Sequence, residues 1–159
     1  MHKDRGKPSA DFYIRGIDHR LRYLNDQKLA EYEITNQQAR LLGAIRRSVY
    51  EGVNISRKFL QERMELSGPS VTSLLNGLEK NGFIIRYTDS EDGRAMKIQV
   101  TDKGNRIMEG LDKVFKDSEK QLLKGMSEEE KILFINLLEK SYKNMQWKIC
   151  VSKNIVRTT

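Results

Sequence analysis

The apolar residues of this chain leave the helical period once and return to it, and that interruption limits its folds more than any other feature. From Asp11 to Asn81 they recur at helical steps. Between Phe83 and Thr101 two β-rich runs take over, and from Asp102 onward the helical period returns. The runs are Phe83-Ile84-Ile85-Arg86-Tyr87-Thr88 and Met96-Lys97-Ile98-Gln99-Val100-Thr101, the second alternating cleanly. Asp92-Gly93 in the segment between them is a strong hairpin-turn signal. A single hairpin set among helical blocks points to a mainly α chain with one small β element.

The helical blocks carry their own start and stop signals. Ile14, Ile17, Leu21 and Leu24 give a first helix from Asp11 to about Glu31, with Arg15, Arg20 and Arg22 on the other face. Thr35 and Gln38 form a capping box for a second helix through Leu41, Leu42 and Ile45 to about Tyr50. The segment 51–55 reads as a turn and a short extended piece. Ser56 then caps a short third helix carrying Phe59, Leu60 and Met64. Ser67 caps a fourth, with Pro69 in its first turn and Asn81-Gly82 as its stop. Its apolar stripe is Val71, Leu74, Leu75 and Leu78.

After the hairpin, Thr101 and Asp102 open a helix through Ile107, Met108, Leu111, Val114, Phe115 and Leu122, which Gly125 ends. Ser127 and Glu130 form a second capping box. The helix they open has apolar residues at 132–135, 137 and 138, around most of its circumference, so it must be buried on more than one side. The chain has 159 residues, 38% of them hydrophobic, which is one domain with a thin core; association with a second subunit is a natural remedy.

The order helix, helix, short helix, tight connection, helix, hairpin is the layout of a winged helix-turn-helix, in which the second helix of the pair enters the DNA major groove and the hairpin wing reaches backbone or minor groove. The recognition helix is then 67–80. At 100° per residue its outer side carries Pro69, Ser70, Thr72, Ser73, Asn76 and Lys80, small and hydrogen-bonding, with no acidic residue at its centre. Asparagine can pair with an adenine edge, the hydroxyls of Ser67, Ser70, Thr72 and Ser73 can meet bases or phosphates, and a lysine suits a phosphate. Any solvated helix face is polar, and only the lack of glutamate here favours DNA. Arg94 at the wing tip can enter a narrow minor groove, or can simply pair with Asp89 or Asp92 to brace the loop. Arg86 and Lys97 on the wing strands are weaker phosphate contacts, and a solvated strand face accounts for either alone. The formal charge of +7 agrees with a polyanionic partner but is spread along the whole chain.

Several function classes are disfavoured. One cysteine, Cys150, permits neither an internal disulfide nor a cysteine-based zinc site. His2 lies in a tail and His19 stands alone on the first helix, so neither a metal centre nor a catalytic constellation is legible; no cofactor is expected and the chain is not read as an enzyme. Cys150 lies far in sequence from the wing and is read as incidental, not as a redox sensor. The N-terminus has no apolar stretch of signal-peptide length, and no run is long enough to span a membrane, which fits a cytoplasmic protein. Phe12, Tyr13, Tyr23, Tyr32, Phe59 and Phe115 can line an effector pocket, although packing explains each singly.

The stretch Leu78-Glu79-Lys80-Asn81-Gly82-Phe83-Ile84-Ile85-Arg86, then Asp89, Asp92-Gly93-Arg94 and Val100-Thr101-Asp102-Lys103-Gly104, resembles the MarR family of bacterial transcriptional regulators. The likeness runs from about Phe12 to Met145. Segments 33–38 and 67–71 are similar to the branch that represses multidrug efflux genes. The resemblance implies a homodimer binding a double-stranded, pseudo-palindromic DNA operator as a repressor, its first and last helices intertwined with the partner's. Ile14, Ile17, Leu21, Leu133, Leu137 and Leu138 then belong to the dimer interface. It also implies release by a small aromatic or cationic effector bound between the dimerisation helices and the DNA-binding lobe. On this basis residues 1–34 form a tail and dimerisation helix, 35–100 the DNA-binding lobe, 101–148 the helices completing the dimerisation region, and 149–159 a tail. Glu91, Ala95 and Met96 depart from the basic or polar residues common in the family's wing, which throws more weight on Arg94. A winged-helix module that binds protein instead of DNA, or a ligand-binding dimer that has lost DNA binding, would share much of this pattern.

Overall fold

The computed structural model describes residues 6–88 and 96–145. Helix α1 (Ala10–Leu29) runs into a 3-10 turn at Ala30–Tyr32, and α2 (Asn36–Tyr50), α3 (Arg57–Met64) and α4 (Gly68–Lys80) follow. Strands β1 (Ile84–Thr88) and β2 (Met96–Val100) come next, and α5 (Asp102–Leu122) and α6 (Glu128–Met145) complete the order.

Local chemistry sets most of these boundaries. The Thr35 hydroxyl accepts from the Gln38 amide while the Gln38 side chain accepts from the Thr35 amide, so both halves of the capping box form. Ser56 and Ser67 accept from the amides of Phe59 and Ser70 at the starts of α3 and α4. Ser127 and Glu130 make the second box at α6. Gly82, at φ +74°, turns the chain out of α4 into β1, with the Phe83 amide donating back to the Leu78 carbonyl. Val53 to Ile55, expected to be extended, pairs with neither strand; Ile55 instead drops into the core.

The strands pair antiparallel, Ile84 opposite Val100 and Thr88 opposite Met96. The core lies beneath this hairpin and α4: Val71, Leu75 and Leu78 meet Leu41, Leu42 and Ile45 of α2, Leu60 of α3, Phe83 and Ile84, Ile98, and Met108 and Leu111 of α5. Each such side chain removed from water contributes roughly 1.5–3 kcal/mol.

The start of α5 is held against the hairpin by three neighbouring residues. The Thr101 hydroxyl donates to the Gly82 carbonyl at 2.6 Å, and the Lys103 ammonium donates to the Asn81 carbonyl at 2.8 Å while lying over the Phe83 ring. Gly104 packs so closely that a Cβ there would stand 2.4 Å from the Phe83 carbonyl oxygen.

The two ends of the chain have a different character. α1 lies along α5, but its Phe12, Tyr13 and Ile14 are exposed. In α6 no residue is buried within the chain: Ile132, Leu133, Ile135, Leu137 and Leu138 all face solvent. The burial its sequence calls for is not supplied by the described residues. No helix among the described residues is long and apolar enough to cross a membrane.

Candidate nucleic-acid interface

Helix α4 buries Val71, Leu75 and Leu78 and half-buries Leu74, which leaves Pro69, Ser70, Ser73, Asn76 and Lys80 exposed on the opposite side. These positions match the outer face expected from the 100° spacing. Two expected contact residues are committed elsewhere. Ser67 is the helix cap and shares a 2.8 Å hydroxyl contact with Ser70, and the Thr72 hydroxyl, half-buried, donates to the Gly68 carbonyl at 3.0 Å. A shallow groove runs along this face, lined by Gly68, Pro69, Thr72, Ser73, Asn76 and Arg57 of α3.

Arg57 was not among the expected contacts, yet the sequence held a signal for it. Arg57 and Lys58 stand in the first turn of α3, where the helix dipole disfavours cations by about 0.3–1 kcal/mol. Basic residues kept at such a position suit an external anion.

Arg86 is not a freely solvated strand residue. Its guanidinium donates to Glu79 at 2.5 and 3.2 Å and its backbone amide donates to the same carboxylate at 3.2 Å. One guanidinium nitrogen also donates to Asn76 Oδ1 at 2.8 Å. The hydrogen bonds from Arg86 hold the Glu79 carboxyl below the usual carboxylate range. The only acidic side chain of α4 is thereby neutralised at the edge of the groove. Glu79 and Arg86 flank the Asn81-Gly82 stop, and a helix-end acid facing a strand-start base across a tight turn is the pattern that signals the pair.

Lys97 lies opposite Tyr87 on β2, and Lys80 ends α4. Asp89, Asp92 and Arg94, expected at the wing tip, lie outside the described residues, as does Cys150. His19 is exposed on α1.

Of the aromatic residues, Tyr32, Phe59 and Phe115 pack against the core, while Phe12, Tyr13 and Tyr23 are exposed. Phe115 also forms part of a cleft of about 510 Å³ between α2 and α5, with the Arg40 guanidinium 4.5 Å above its ring. Arg46, Arg47, Arg63 and Tyr50 line the same cleft, against one acidic residue, Asp112. Burial, with the charge of Arg22, lowers the pKa of Arg40 from its ordinary value.

The geometry agrees with what this chain is similar to. A model described as MarR family matches residues 32–95. An uncharacterised HTH-type transcriptional regulator of Bacillus subtilis, YdgJ, is 30% identical over 97 residues; the match spans 61% of this chain and 59% of that protein. The structure of the S. aureus MepR–DNA complex superposes with a TM-score of 0.77 at 28% identity, over 87% of this chain and 97% of that one. A MarR variant from E. coli complexed with operator DNA has the same fold, with a TM-score of 0.72 at 22% identity over 82% of this chain and 91% of that one. With the capped helix pair, the hairpin behind it and the Thr101–Gly104 junction in place, the chain has the fold of these regulators and is similar to the MarR family over residues 32–95.

Proposed function

We propose that this protein is a homodimeric, sequence-specific DNA-binding regulator, a repressor of a pseudo-palindromic operator that a small molecule releases. The observation that carries this is the outer face of α4: Ser70, Ser73, Asn76 and Lys80 are exposed in a row, Arg57 lies alongside, and the helix's one carboxylate is tied to Arg86. Such a face offers donors to base edges and cations to phosphates with no free negative charge to repel them. A protein-binding module would favour an apolar or acidic face there.

The exposed apolar residues of α6 and of the start of α1 support the dimer. Residues 1–34 and 101–148 then form the dimerisation region and 35–100 the DNA-binding lobe, each protomer placing one α4 in successive major grooves about 34 Å apart. Arg94, expected from the sequence to follow the turn at Gly93, is assigned a minor-groove contact. The protein works by binding, without a catalytic step, in the cytoplasm where its operator lies. Of the two effector classes, the arginine-lined cleft beneath Arg40 favours an aromatic anion over a cation.

A gel-shift assay on the promoter beside its own gene, titrated with salt, tests this reading. The expected result is a discrete complex whose affinity falls steeply with salt. Undetectable or salt-independent binding overturns it.

A further inference from the structure

The orientation of the Asn76 side chain is decided by its neighbour. A guanidinium carries five N–H donors and no acceptor, so the amide atom 2.8 Å from Arg86 is the oxygen. Arg86 cannot turn away readily, because its side chain and its backbone amide both donate to Glu79. Asn76 therefore has its oxygen engaged toward β1, and its NH2 group is the one left for the groove beside Ser73, Thr72 and Arg57.

This changes what Asn76 recognises. The bidentate contact of asparagine with adenine needs both ends of the amide: the oxygen accepting from N6–H and the nitrogen donating to N7. Arg86 takes one of the oxygen's two lone pairs and holds it on the β1 side, so the NH2 group is the end that leads toward the base. An NH2 group meets two acceptors, O6 and N7, on the major-groove edge of guanine, whereas on adenine it faces the like donor at N6. We infer that Asn76 is a specificity-determining residue that selects guanine over adenine, with Arg86 and Glu79 as the positioning residues that set its amide. The inference rests on the DNA-binding reading above and names the base chemistry of that same face.

The test is selection from a double-stranded library with a randomised core, using the full-length protein and the variants Asn76→Ala, Asn76→Asp and Arg86→Met. The wild type should enrich a G·C pair at one position of each half-site, and Asn76→Ala should lose roughly tenfold discrimination at that position only. Asn76→Asp keeps its partner Arg86 but presents only acceptors, so it should turn the preference against guanine. Arg86→Met frees the amide oxygen and should raise adenine at the same position.

An A·T pair at that position in the wild type overturns the inference. So does retention of guanine by Asn76→Asp, a variant whose carboxylate preserves the contact with Arg86 and which therefore decides the matter even where Arg86→Met does not fold. Enrichment indifferent to residue 76 overturns this inference alone. A wild type that enriches no sequence overturns the DNA-binding reading together with it.

Discussion

Glu79, in the last turn of α4, and Arg86, in the middle of β1, are joined across the Asn81-Gly82 turn by three hydrogen bonds from one residue to one carboxylate. The pair ties the last turn of α4 to β1. It also gives the protein an acid-sensitive joint. Because the folded-state pKa of Glu79 is lowered, its contribution is present above the ordinary carboxyl value of 4.5 and is lost as pH falls through the lowered one. The stability advantage of wild type over Glu79→Gln should therefore shrink steadily below about pH 4.5, as thermal denaturation at a series of pH values can follow. An advantage that grows on acidification would contradict the pairing.

Lys80 ends α4 with its side chain exposed, and it has no role in the core. Lys80→Ala should weaken binding to all duplexes about equally and reduce the slope of log affinity against log salt by about one. Arg94→Ala should likewise weaken operator binding while leaving the dimer intact. Competition assays with single-base operator variants separate these phosphate-type losses from a change in base preference.

In α6, Leu133 and Leu137 lie one turn apart on a surface that this chain leaves in water, at 58% and 54% exposure. An aspartate at either position leaves the single-chain core untouched but places a charge where a partner must pack. Leu133→Asp with Leu137→Asp should shift the particle measured by light scattering to the monomer mass of 18.5 kDa. The helix content by circular dichroism should stay largely intact.

Gly104 has no room for a side chain, its Cβ position lying 2.4 Å from the Phe83 carbonyl oxygen and 2.8 Å from Val100 Cγ1. Alanine would gain about 1 kcal/mol in helix propensity, but pushing α5 off the hairpin costs about 1–3 kcal/mol, so Gly104→Ala should destabilise the fold. Urea denaturation measures the balance, and a stabilised variant would show that the junction yields easily.

The cleft beneath Arg40 gives an effector prediction with a definite sign. An aromatic carboxylate such as benzoate should raise the melting temperature and lower operator affinity, and a lipophilic cation of similar size should do neither. Arg40→Met, which removes the guanidinium above Phe115, should abolish the shift. Stabilisation by the cation and not the acid would place the effector elsewhere.

Much of this protein was legible in its residues. The caps at Thr35, Ser56, Ser67 and Ser127 and the stop at Gly82 are interactions between residues within about five positions of one another, and the strands are β-rich runs of which the second alternates; such signals survive reading in one dimension. For the same reason the outer face of α4 could be assigned from helical spacing alone.

What three dimensions decided was which of those side chains are free to act. Thr72 bonds its hydroxyl back to the Gly68 carbonyl, Arg86 is taken up by Glu79, and Asn76 has its oxygen held from ten residues away. Arg57 enters the groove from a neighbouring helix, and α6 has no buried residue among the described residues. Apart from the Thr72 bond, which stays within α4, each of these depends on the distance and angle between packed elements. Those are set by how Val71, Leu75 and Leu78 seat α4 in the core, a geometry to which no short-range pattern is sensitive.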